Sequence, residues 1–103
     1  DVKGINVFPS QIEAVIGEMP FLSPFYMITL DNKNYSDHML VEVELNENSL
    51  TDDTTELAKM AKKLDSRLKE VLNIKAEVRL ALPKTLQRFE GKSKHVIDNR
   101  SYE

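Results

Sequence analysis

The chain has 103 residues, room for one domain with one core, and its 41% hydrophobic and 30% charged residues are the balance of an ordinary soluble globular protein. It has no cysteine, which excludes disulfides, thiol nucleophiles and thiolate metal sites and fits a cytoplasmic location. The net charge of −3 argues against a global nucleic-acid footprint. No apolar run approaches the ~18 residues of a membrane span, and residues 1–10 lack the apolar core of a signal peptide.

In chain order, Gly4-Ile5-Asn6-Val7-Phe8 alternates apolar and polar and predicts a short strand. Pro9 and Ser10 open a helix, with Ser10 and Glu13 spaced as a capping box. Ile12, Val15, Ile16 and Met19 form its apolar stripe, and Pro20 stops it. Phe25 to Leu30 is rich in aromatic and β-branched residues and predicts a strand, followed by a turn over Asp31-Asn32-Lys33-Asn34. Met39, Val41, Val43 and Leu45 alternate with Leu40, Glu42 and Glu44, the pattern of a half-buried strand that closes a hairpin. A polar loop from Asn46 to Asp53 leads into a long helix from about Asp53 to Leu72. Its stripe is Leu57, Met60, Ala61, Leu64, Leu68, Val71 and Leu72. Ala76, Val78, Leu80 and Leu82 then alternate with Glu77, Arg79 and Ala81 as a strand that ends at Pro83.

This order predicts an α+β, ferredoxin-like βαββαβ fold: an antiparallel sheet with two helices on one face. Residues 84–100 fall outside that minimal fold. Acids gather at Glu42, Glu44, Glu47, Asp52, Asp53 and Glu56, and bases at Lys84, Arg88, Lys92, Lys94 and Arg100. The charges describe either two solvated faces or a basic tail that meets an anionic ligand.

Most familiar chemistries find no footing. No acidic residue stands at a metal-ligand spacing from His38 or His95, and nothing resembles a nucleophile elbow. Gly4, Gly17 and Gly91 are scattered rather than gathered in a phosphate loop. Phe25 and Tyr26 read as core packing rather than a base-stacking platform. Two strings remain. One is Lys3-Gly4-Ile5-Asn6-Val7-Phe8-Pro9-Ser10-Gln11-Ile12-Glu13. The other is the stretch from Pro83 to Arg100, above all Glu90-Gly91-Lys92-Ser93-Lys94 and Val96-Ile97-Asp98-Asn99-Arg100.

Together these strings resemble the opening and closing motifs of the C-terminal domain of phenylacetate–coenzyme A ligases, within the adenylate-forming enzymes. The resemblance covers essentially the whole chain. It implies that residues 1–103 form a single C-terminal lid domain, with the nucleotide-binding N-terminal domain outside this chain. It implies two steps: ATP and an aryl acid give an acyl-adenylate and pyrophosphate, and coenzyme A then takes the acyl group. The lysine matching Lys92 serves adenylation. The segment matching Gly4 helps line the coenzyme A tunnel, and Gly91 and Lys94 lie on the adenylate approach. Lys94, Arg88 and Arg100 are candidates for the phosphates of coenzyme A. The domain alone binds no cofactor; ATP, Mg²⁺ and coenzyme A belong to the full-length enzyme. Its partners are the N-terminal domain and the small-molecule substrates, not nucleic acid or a membrane.

The sequence departs from that pattern at Asp1, where the family usually has an apolar residue. The acidic hinge residue and the motif upstream of it are absent, and His95 stands where arginine is common, so His95 carries no role. The alternative reading is an ACT-like regulatory module that binds a small molecule through a glycine-containing loop after the first strand. The junction Phe8-Pro9-Ser10 has no such glycine.

Overall fold

The structure is a computed structural model that describes residues 4–88 and 95–101. Two helices, α1 (Pro9–Gly17) and α2 (Thr54–Leu72), accompany four strands: β1 (Leu22–Asp31), β2 (His38–Leu45), β3 (Glu77–Ala81) and β4 (Val96–Asp98). The strands form one sheet in the order β3-β2-β1-β4. The α+β class with two helices stands as the sequence predicts.

The predicted stripes meet in one core. Ile12, Val15 and Ile16 of α1 and Met60, Leu64 and Leu68 of α2 join Ile28, Leu30, Met39, Val41, Val43 and Leu45 in a single buried cluster. Both helices therefore cover the same face of the sheet. Fully burying a side chain of this size contributes about 1.5–3 kcal/mol, so this face carries most of the stability. Asp53 caps α2 by accepting the N–H groups of Thr55 and Glu56, and Asn73 ends it in the left-handed region at φ 58°. Among the described residues no helix is long and apolar enough to cross a membrane.

Three expectations are corrected. The first is the capping box, which does not form. Pro9 takes the first helical position and Phe8 the N-cap, with no side-chain cap. Ser10 is already inside the helix, and Glu13 instead accepts the Tyr26 hydroxyl at 2.7 Å.

The second is the strand order. Residues 4–8 are not a strand, so the sequence of elements is not βαββαβ. The fourth strand comes from the tail: Val96, Ile97 and Asp98 lie beside Ile28, Thr29 and Leu30 of β1. The Ile28 N–H donates to His95 O at 2.7 Å and the Asn99 N–H to Leu30 O at 2.8 Å. The backbone of Ile5 finds its partners in side chains rather than in a strand ladder.

The third is strand direction. Only β1 and β2 are antiparallel; β1–β4 and β2–β3 are parallel. The link from β2 through α2 to β3 is a βαβ crossover, which requires its two strands to run the same way. The sheet is mixed.

Candidate functional site

The two strings singled out by the sequence meet at one carboxylate. Asp37, just before β2, accepts the Ile5 N–H at 2.7 Å and Arg100 Nη1 at 2.8 Å through the same oxygen, Oδ2. Arg100 Nη1 also donates to the Ile5 carbonyl at 2.7 Å. Its Nε and Nη2 form a two-pronged pair with Asp98 at 2.9 and 2.8 Å. Arg100 holds the Asp98 carboxyl below the usual aspartate range, chiefly through this side-chain hydrogen bond. The Asp37 side chain is only 4% exposed and that of Arg100 15%. Asn32 closes the same end of the sheet, donating to Ser101 O at 2.5 Å and accepting the Ser101 N–H at 3.1 Å. Gly4, half-buried, directly precedes the clamped residue.

A second carboxylate holds the start of the other string. Glu44 points away from the helices, on the face where alternation predicts solvent, yet it is only 1% exposed. Residues 83–88 fold over it. The N–H groups of Lys84 and Leu86 donate to it at 2.8 and 2.9 Å. The Arg88 guanidinium grips both of its oxygens. Arg88 also lies 3.5 Å above the Phe25 ring centroid, a cation–π contact that leaves Phe25 partly exposed. Burial is the largest influence on the Glu44 carboxyl and pushes it up. Arg88 and the two N–H groups together outweigh burial, so it ends below the usual glutamate range.

The chain returns to the described residues at His95. Its ring stacks on Tyr26 with centroids 4.3 Å apart and planes 9° apart. The Tyr26 phenol is pushed well up, first by burial and then by its hydrogen bond to the Glu13 carboxylate. A cavity of about 420 Å³ opens beside this stack, between Glu13, Met19, Leu22 and Pro24. A cavity of about 810 Å³ lies between α2 and the β2–β3 edge, over Ala58 and Ala61.

The predicted site residues fare differently. Gly4 stands beside the Asp37–Arg100 clamp. Gly91, Lys92 and Lys94 lie outside the described residues. Arg88 and Arg100, candidates for coenzyme A phosphates, are engaged with carboxylates of this chain, and Lys84 pairs with Glu47 at 3.7 Å. That is the structural meaning of the uneven charge: these bases meet the chain's own acids. Asp37 and Glu44 escaped the sequence reading because one sits beside a turn and the other on an apparently wet strand face. The described residues hold no group of three histidines, aspartates or glutamates able to bind a metal ion.

The sequence model of the AMP-binding enzyme C-terminal domain matches residues 4–100. The chain belongs to this family. It is 34% identical over 97% of its length to the phenylacetate–coenzyme A ligase of Escherichia coli (strain K12), of which it covers 23%. The chain thus spans about a quarter of the length of the curated relatives it matches. The crystal structure of a domain of phenylacetate–coenzyme A ligase from Bacteroides vulgatus ATCC 8482 is similar at TM-score 0.85 and 32% identity, over 96% of this chain and 90% of that one. A 2-hydroxyisobutyryl-CoA ligase in complex with its acyl-adenylate and CoA, in the thioesterification state, is similar at TM-score 0.83 and 27% identity, over 92% of this chain and 20% of that one. The same ligase in the postadenylation state matches at TM-score 0.78 and 27% identity, over 94% and 20%. The chain is thus similar, over nearly its whole length, to the C-terminal domains of CoA ligases. Family membership displaces the ACT-like alternative.

Proposed function

We propose that this domain is the mobile lid of an aryl-acid CoA ligase, with phenylacetate as the acid, working in the cytoplasm beside an N-terminal adenylate-binding domain. What supports this most is that a domain of the same fold serves a CoA ligase captured both after adenylation and during thioesterification. In this reading residues 1–103 belong to a single C-terminal lid domain. ATP, Mg²⁺, the acid and coenzyme A are held mainly by the N-terminal domain, and no residue of this chain is assigned to Mg²⁺.

Adenylation brings an anionic carboxylate against an anionic triphosphate. Lys92 serves this step: an ammonium placed near both oxygens offsets their repulsion and favours the charge that develops in the transition state. In water that attraction is worth only ~1 kcal/mol at 4 Å, and it grows as the closing lid excludes solvent. Gly91 lets the backbone carry Lys92 close, and Lys94 adds positive charge on the same approach. Rotation of the lid then exchanges Lys92 for the Gly4 segment, whose lack of a side chain admits the thiol-bearing arm of coenzyme A. The acyl group passes from the adenylate phosphate to the thiol sulfur, and AMP leaves.

The test is Lys92→Ala in the full-length enzyme. Acyl-adenylate formation, followed by pyrophosphate release, falls by at least ~100-fold, as for loss of one preorganised charge donor. Thioester formation from supplied acyl-adenylate persists. Equal loss of both steps sinks the assignment.

A further inference from the structure

The geometry points to Asp37 as a positioning residue for the thioester-forming half-reaction, acting through the backbone of the Gly4 segment. This rests on the reading that the Gly4 segment lines the coenzyme A path.

Residues 4–8 lack the support of a strand ladder. The backbone of Ile5 is held instead by two side chains: Asp37 takes its N–H and Arg100 its carbonyl, at 2.7 Å each. The two side chains also bond each other, closing a small ring of three hydrogen bonds around one peptide segment. Asp37 comes from the β1–β2 connection and Arg100 from just beyond β4, so the ring ties together segments far apart in the chain. Ile5 and Val7 rest half-buried against the core, which sets their depth but not their position along the surface. Apolar contact is non-directional, whereas a charged acceptor on a backbone N–H is not. The Asp37 side chain is nearly inaccessible, so its influence on the ligand path runs through its placement of Ile5 and, with it, Gly4.

Asp37→Asn keeps the size and one acceptor oxygen but removes the charge that fixes Arg100. The experiment uses the full-length enzyme and measures each half-reaction: pyrophosphate release from ATP and acid, and thioester formation from supplied acyl-adenylate and coenzyme A. A displaced peptide beside the ligand lowers kcat/KM for coenzyme A about 10- to 100-fold. Pyrophosphate release stays within about two-fold of the parent enzyme. Arg100→Lys, which keeps the charge but loses the planar fork, shifts the same step in the same direction by less. Unchanged thioester formation overturns the assignment, and so does an equal fall in both steps with thermal stability retained. Should Asp37→Asn fail to fold, Arg100→Lys decides by the same criterion. These outcomes stand whatever Lys92→Ala shows, since acyl-adenylate is supplied; Lys92→Ala separately decides the division of labour between the two segments.

Discussion

A carboxylate taken out of water survives as an anion only when donors replace the lost solvent, and Glu44 meets that condition with two backbone N–H groups and a guanidinium. Glutamine at this position offers one acceptor oxygen to the same donors and turns an NH₂ group toward one of them. Glu44→Gln therefore costs about 1–3 kcal/mol, the penalty for leaving a buried donor unmatched, read as a lower Tm at neutral pH. The pH dependence follows from the direction of the shift. Glu44 lies below its ordinary value of 4.5, so the folded state binds fewer protons than the unfolded chain. Its stabilisation is fully present above about pH 4.5 and is lost as the pH falls through the lower folded value. The Tm gap between the parent domain and Glu44→Gln should be constant near neutrality and close in acid. A gap that widens on acidification contradicts the assignment. Alternation along β2 could not reveal Glu44, because Glu42 and Glu44 carry the same sign in the pattern and only the fold of residues 83–88 separates them.

The elements show where local rules hold and where they yield. Asp53 stands just before a long apolar stripe, and its side chain does cap α2. Ser10 has the same capping chemistry in sequence, but Pro9 starts α1 ahead of it, so that chemistry goes unused. The two positions make a matched test by thermal unfolding: Asp53→Ala costs ~1 kcal/mol, while Ser10→Ala is close to neutral. An equal loss at both would show that Ser10 caps after all. The long helix and β2 were legible because each carries a full period of buried residues, and β3 because the half-buried Val78 and Leu80 alternate with Glu77 and Arg79. The segment over residues 4–8 also alternates, but five residues of alternation do not say what fills the backbone hydrogen bonds. Here Asp37 and Arg100 fill those of Ile5, while three tail residues take the sheet edge beside β1.

At the scale of the molecule, one core joins both helices to the sheet, and the Cα radius of gyration is 13.9 Å, close to the ~13 Å of a compact domain of about this length. Compactness does not supply a catalytic centre. The chain is about a quarter of the length of its ligase relatives, and the described residues bring together no metal-binding group. Residues 1–103 alone should yield no acyl-CoA from ATP, aryl acid, Mg²⁺ and coenzyme A, as followed by thioester formation; product from the isolated domain would refute the lid reading. The sequence by itself determined the helices, the hairpin, the core and the family, because periodicity and the two terminal strings are local properties of residue order. Only the tertiary structure decided that the tail supplies the fourth strand, that β2–β3 and β1–β4 run parallel, and that Glu44 and Asp37 are buried. Those outcomes depend on which distant donor reaches which orphan acceptor, and hydrogen bonds between residues 32 or 95 positions apart leave no period to read.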